Sequence, residues 1–206
     1  MSWEAIVEGC KSEMEAAHTA REAVLGQTRK IIQTSSKCIR HVHRKQFVEA
    51  KNLLEEAQTL VRHTRELASG QPRVLYAGYI QDAEKEMVEA AALLAMVQGQ
   101  PFPSPQELGV DLTSYLNGMG EAASEARRYV LDEMRQGSLA EAIRLLGLME
   151  TIYDDLITFD FPDSLTGGLR RTCDALRAVI ERTRSDLTLT TLQQDLLAEL
   201  RRTRPS

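Results

Sequence analysis

The chain is 206 residues long, 43% hydrophobic and 27% charged, with a net charge of −5. That length fits one domain with a sizeable core, and the balance excludes a disordered or collagen-like chain. A net negative chain is no general binder of polyanions, so any affinity for nucleic acid must be local.

Aromatics make up only 5% of the residues, while Ala, Leu, Glu and Arg are abundant, which favours helix over sheet. Cys10, Cys38 and Cys173 lie far apart, lack metal-ligand spacing and read as reduced thiols of a cytosolic protein. The N-terminus has no basic stretch followed by an apolar one, and the longest apolar run, Ala90 to Val97, is too short to span a bilayer. The expectation is a soluble, cytoplasmic, single-domain protein over residues 1–206, with no membrane partner.

From Ser2 to about Leu67 there is no proline, and apolar residues recur at helical spacing from Val24 through Ile31, Cys38, Val42, Ala50, Leu54, Ala57 and Val61. This predicts a long first helix, bent near Gly26, and a second helix from about Phe47 that ends at Ser69-Gly70-Gln71-Pro72. Between Arg29 and Lys51, seven basic residues (Arg29, Lys30, Lys37, Arg40, Arg44, Lys45, Lys51) face the single acid Glu49, with His41 and His43 among them. Such a stretch neutralises several phosphates and binds in a salt-dependent way. With few aromatics in it, it tracks a backbone rather than stacking bases.

A third helix is expected from about Val74 to Val97, with Ala83, Met87, Ala90, Ala91 and Leu94 as its buried stripe. The proline-rich stretch 98–110 is the one real loop. A fourth helix runs from near Asp111 to Gly137 on an apolar face of Leu112, Tyr115, Leu116, Met119, Ala122, Ala123, Ala126 and Val130. Ser138 and Glu141 read as a capping box that opens a fifth helix to about Thr158. Phe159-Asp-Phe-Pro162 breaks it, a sixth helix follows to about Arg184, and a short seventh covers roughly 190–202. No strand-like alternation and no internal repeat occur. The fold class is therefore an all-α bundle, with helices four, five and six as antiparallel neighbours.

Glu86 and Glu89 are three apart on the third helix, and Glu121 and Glu125 four apart on the fourth. Residues at those spacings share a helix face, so each pair can aim two carboxylates at one point. Both pairs flank their apolar stripes, where a carboxylate reaches into a groove between helices. Two such helices make a hard-oxygen cage suited to Mg²⁺. The other chemistries fail on spacing. A di-iron site needs two Glu-x-x-His pairs and only Glu15-x-x-His18 is present; His41 and His43 point to different faces; and no nucleophile elbow or phosphate loop occurs. Gly167-Gly168 reads as a turn or a close backbone contact. The second basic group, Arg170, Arg171, Arg177, Arg182 and Arg184, is partly offset by Asp174, Glu181 and Asp186.

Three segments carry a family resemblance. Phe161-Pro-Asp-Ser-Leu-Thr-Gly-Gly-Leu-Arg-Arg through Leu187 resembles the C-terminal signature of prokaryotic translin-family proteins. So does Arg21 to Glu66, with Ile39-Arg-His-Val-His-Arg44. Tyr115-Leu-Asn-Gly-Met-Gly-Glu-Ala-Ala-Ser-Glu125 resembles the Tyr-Leu-x-Gly-Val-x-[Asp/Glu]-x-x-x-Glu segment of the same family. Together they span about residues 15 to 190. The resemblance implies a seven-helix fold, a closed octamer-like shell and binding of single-stranded RNA or DNA. In its catalytic branch, translin-associated factor X, four acids form a Mg²⁺-dependent endoribonuclease site, arranged Glu-x-x-Glu and Asp-x-x-x-Glu.

Glu86 and Glu89 match the first pair, and Glu121 and Glu125 the second, with Glu121 standing where that branch has Asp. The resemblance thus implies a homo-oligomeric endoribonuclease for single-stranded RNA. Mg²⁺, or Mn²⁺ in its place, would be held by Glu86, Glu89, Glu121 and Glu125. Arg29, Lys30, Lys37, Arg40, His43 and Arg44 would guide the phosphate backbone. The alternatives are a binding module with structural glutamates and a helical scaffold that recognises protein.

Overall fold

The computed structural model describes residues 1–203, and every element among them is helical. In chain order the helices are α1 (Trp3–His43), α2 (Phe47–Ala68), α3 (Pro72–Leu75), α4 (Tyr79–Gln98), α5 (Pro105–Leu108), α6 (Leu112–Gln136), α7 (Leu139–Leu156), α8 (Asp163–Thr166) and α9 (Leu169–Thr203). Six are long, and α3, α5 and α8 are single turns.

α4 is the centre of the bundle. Ala90 through Met96 are all buried, because α1 and α2 cover one side of α4 and α6 and α7 the other. A helix that is apolar all round belongs in an interior, and the run Ala90–Val97 marks this one. α1 and α2 form a hairpin whose corner is Lys45, a non-glycine residue at φ 59. That left-handed conformation costs about 1–2 kcal/mol. Lys45 is held there by Glu133 of α6 at 2.6 Å and by Gln136 at 3.2 Å. The hairpin is closed inside by the Cys38 thiol, which donates to the Ala50 carbonyl at 3.2 Å.

Several expectations need correcting. The expected third helix breaks at Gly78, which adopts φ 91 and leaves α3 as a separate turn before α4. The expected break between the sixth and seventh helices does not occur, and both belong to α9. The threonines there do not interrupt the backbone. The hydroxyls of Thr183, Thr188, Thr190 and Thr191 each donate to the carbonyl four residues back, and neither Pro nor Gly intervenes. Arg127 of α6 adds a clamp, reaching Thr183 at 3.0 Å and Asp186 at 2.8 Å.

Ser138, at φ −84 and ψ 62, makes no side-chain cap, and the Glu141 carboxylate is taken up by Arg144 instead of reaching back to the Ser138 amide. The capping box lies instead in the proline-rich loop, where the Ser104 hydroxyl and the Glu107 carboxylate satisfy each other's backbone amides at the start of α5. Leu112, read as an apolar-face residue of the fourth helix, is exposed.

None of the described helices is long and apolar enough to cross a membrane. Cys10 is exposed, and Cys38 and Cys173 are buried free thiols. The last turns of α9 carry exposed Leu189, Leu192, Leu196, Leu197 and Leu200, an apolar face with no partner among the described residues.

Candidate metal centre and nucleic-acid surface

The close approach of α4 and α6 is set by a missing side chain. A Cβ on Gly118 would lie 2.6 Å from the Val88 Cβ and 2.8 Å from the Lys85 carbonyl oxygen, so only glycine lets the helices meet there. One turn along, the contact puts Glu121 of α6 against Glu86 and Glu89 of α4. Each of the three offers a carboxylate oxygen, and the three oxygens lie within 4.8 Å of one another. Gly118→Ala is therefore expected to force α6 away from the Lys85 backbone. Overpacking costs about 1–3 kcal/mol, more than the gain of about 0.5–1 kcal/mol from removing a helical glycine. Thermal melts should show a lower Tm, and Mn²⁺ titration a weaker site.

The electrostatics of the trio are unbalanced. Burial, and then the charges of Glu86, Glu121 and Glu125, push the Glu89 carboxyl up to about 8. Burial and the charge of Glu121 also raise Glu86. Lys85 is the lone nearby base on α4, bonded to Glu121 at 2.8 Å. Burial by itself would lower Lys85, but its hydrogen bond to Glu121 and the surrounding acids raise it. Three hard carboxylate oxygens this close together, with Lys85 as the one base beside them, are a donor set that suits a Mg²⁺ or Mn²⁺ ion, and their crowding and burial are what raise Glu89.

Glu125 stands apart from the trio. Its Oε1 lies 2.7 Å from His43 Nε2, and the His43 side chain is 3% exposed. His43 Nδ1 is buried without a hydrogen-bond partner among the described residues, which fits the tautomer that donates from Nε2. The histidine thus turns into the bundle, where it positions Glu125. The nucleic-acid surface proposed from sequence does not include it.

The other five do form a surface. Arg29, Lys30, Lys37, Arg40 and Arg44 are all exposed. At 100° per residue the four on α1 fall within an arc of about 100°, and Arg44 follows as the helix's C-cap residue. Among the described residues none of the five pairs with an acid of the trio, so the structure keeps the basic face and the carboxylates distinct. Arg65, outside the predicted set, ties α2 to α4 on a face away from the trio. Its guanidinium meets the fully buried Glu84 at 2.5 Å, and the other Glu84 oxygen accepts the Asp111 amide at 3.0 Å at the start of α6.

No family model matches the chain. An uncharacterized protein of Methanocaldococcus jannaschii is 30% identical over 171 residues, 82% of this chain and 75% of that relative. Among solved structures, the complex of AfC3PO with duplex RNA superposes with a TM-score of 0.85 at 34% identity, covering 91% of this chain and 97% of that one. AfC3PO alone gives a TM-score of 0.85 at 33% identity over the same shares. C3PO is the assembly of translin and translin-associated factor X. The chain belongs to the translin family. Apo-NeC3PO, 24% identical with a TM-score of 0.80, shares its fold.

In this translin-family chain the sequence reading missed Lys85 and the inward role of His43. Lys85 had a signal, since it is the single base among Asp82, Glu84, Glu86 and Glu89. His43 had none, because its partner lies 82 residues away.

Proposed function

We propose that the chain is a Mg²⁺-dependent endoribonuclease of translin type. Glu86, Glu89 and Glu121 would hold the ion, and the α1 basic face would guide the phosphate backbone. The observation that carries this reading is the trio of carboxylate oxygens within 4.8 Å, together with a Glu89 raised to about 8. The RNA assignment is supported by the AfC3PO complex with duplex RNA at 34% identity. Bound at the trio, Mg²⁺ supplies polarisation of the scissile phosphate and a more acidic water.

The remaining steps fall to the chain's own groups. Glu125, held by His43 rather than by the trio, takes the proton of the attacking water. Lys85 offsets the charge of Glu121, and Arg29, Lys30, Lys37, Arg40 and Arg44 orient the strand. The exposed leucines on α9 supply an apolar face for self-association, in line with a homo-oligomeric shell of octamer type.

The second reading, binding without cleavage, draws on one observation. Glu121 and Glu125 are already engaged by Lys85 and His43. Glu121 is also the position where the catalytic branch has the shorter Asp.

End-labelled single-stranded RNA, duplex RNA and single-stranded DNA, incubated with Mg²⁺ or with EDTA, separate the two readings. Mg²⁺-dependent products, absent with EDTA and reduced by at least a hundredfold in Glu89→Ala, are expected. RNA retention with no products in any lane would leave binding alone, and equal activity in Glu89→Ala would remove the site assignment.

A further inference from the structure

A cavity of about 510 Å³ opens beside the acid trio, between the starts of α4, α6 and α9. Lys85 and Glu121 line it, so the cavity and the candidate metal centre share a wall. Its volume lies in the range of small-ligand sites, about 300–1,000 Å³.

Most of its polar lining is already committed. The Ser114 hydroxyl donates to the Gln81 carbonyl, the Thr113 hydroxyl to the Leu165 carbonyl, and the Thr172 hydroxyl to Asn117 Oδ1. This frame leaves a small set of free groups. Arg171 and Asp82 form no ion pair among the described residues, and Tyr76 stands on the rim with 76% of its surface exposed. Gln81 lines the wall, with its Nε2 donating to the Leu75 carbonyl and its Oε1 buried behind the surface without a hydrogen-bond partner among the described residues. Arg171 folds back over the start of α9, where a Cβ on Gly168 would come within 3.0 Å of its guanidinium. α4 begins at Gly78 without a side-chain cap, and α9 follows Gly167-Gly168, which carry no capping side chain. The first amides of both helices and their positive dipole ends therefore stand near the cavity.

A free guanidinium on Arg171, a ring at the rim, the Asp82 carboxylate as an acceptor for hydroxyl groups and a shared wall with the metal centre are the complement of one nucleotide. We propose that the cavity holds the nucleotide of the RNA strand next to the scissile phosphate, with its outer phosphate on Arg171 and its base against Tyr76. The inference rests on the nuclease reading, since that reading places the scissile phosphate at Glu121.

The test uses the full-length protein and a fluorescently labelled single-stranded RNA. Binding is read by anisotropy in EDTA across a salt series, and cleavage is read separately in Mg²⁺. Arg171→Gln and Tyr76→Ala change exposed side chains, and each should raise Kd and KM about tenfold, in the range of one lost phosphate or stacking contact. In Arg171→Gln the slope of log K against log salt should fall by about 0.7. Mn²⁺ affinity should stay unchanged in both variants, which separates this subsite from the metal centre.

Arg177→Gln, further along α9 and paired with Glu181, removes the same charge outside the cavity and should have little effect. An equal loss in Arg177→Gln, or unchanged Kd in both cavity variants, overturns the inference. A wild type that binds RNA in EDTA yet never cleaves overturns the nuclease reading while the binding arm still decides the subsite. A wild type that does not retain RNA overturns both.

Discussion

Glu89→Gln is expected to be more stable than the wild type in metal-free buffer at pH 8.5, and to lose the stabilisation that Mg²⁺ or Mn²⁺ confers. In the folded chain the Glu89 carboxyl is raised to about 8 by burial and by Glu86, Glu121 and Glu125. The unfolded chain releases this proton near pH 4.5, whereas the folded chain keeps it to about pH 8. The contribution to stability is therefore fully present below pH 4.5 and is lost as pH rises through 8, by on the order of a few kcal/mol. Glutamine does not titrate, so the variant's Tm should fall less steeply with pH over that window, keeping only the smaller contribution of groups such as Glu86.

Metal reverses the slope in the wild type. A cation at the trio displaces the proton, so its affinity and the Tm gain it brings should both rise from pH 6 to pH 8.5. At a hundred times Kd the gain is about 2.7 kcal/mol. Calorimetric melts of wild type and Glu89→Gln at the two pH values, with and without Mn²⁺, read all four quantities. A wild type whose Tm ignores both pH and metal would sink the assignment of the trio.

Arg65→Ala should be the most damaging single change outside the trio. It strands the fully buried Glu84 carboxylate with one backbone amide, that of Asp111, as its hydrogen-bond donor. Breaking a buried pair from one side costs about 3–5 kcal/mol. For a chain of this size, Tm should fall by roughly 6–20 °C.

The double change Arg65→Met with Glu84→Met should recover most of that loss, because two apolar groups of similar volume leave no charge unpaired. The same double variant removes the tie between α2, α4 and the start of α6. Weaker Mn²⁺ binding at near-normal stability would then report the positioning role of the pair. A single variant within about 1 kcal/mol of wild type would mean that Glu84 finds solvent or another donor.

Most of the helices were legible in the sequence because their local signals agree with the bundle. The αL glycines Gly99 and Gly137 close α4 and α6 where the reading expected ends, and the Asp111 side chain caps α6 through the Thr113 amide. The misreadings share a physical origin, since a local pattern names a capability rather than a partner. Ser138 and Glu141 have capping-box spacing, yet Arg144 competes for the carboxylate. Ser185 to Thr191 looks like a weak point, yet threonine hydroxyls and the Arg127 clamp carry α9 through it.

By itself the sequence determined that the chain is helical, which residues face the core, and that Glu86, Glu89, Glu121 and Glu125 occupy the flanks of two helices, because helical periodicity is written in residue spacing. Only the tertiary structure decided that three of them meet while His43 draws the fourth aside, that Lys85 sits among them, and that a cavity adjoins them. Those facts depend on the distance between α4 and α6, set where Gly118 meets Val88 and the Lys85 carbonyl, and on contacts between residues up to 82 positions apart. Spacing along one helix cannot encode the gap between two.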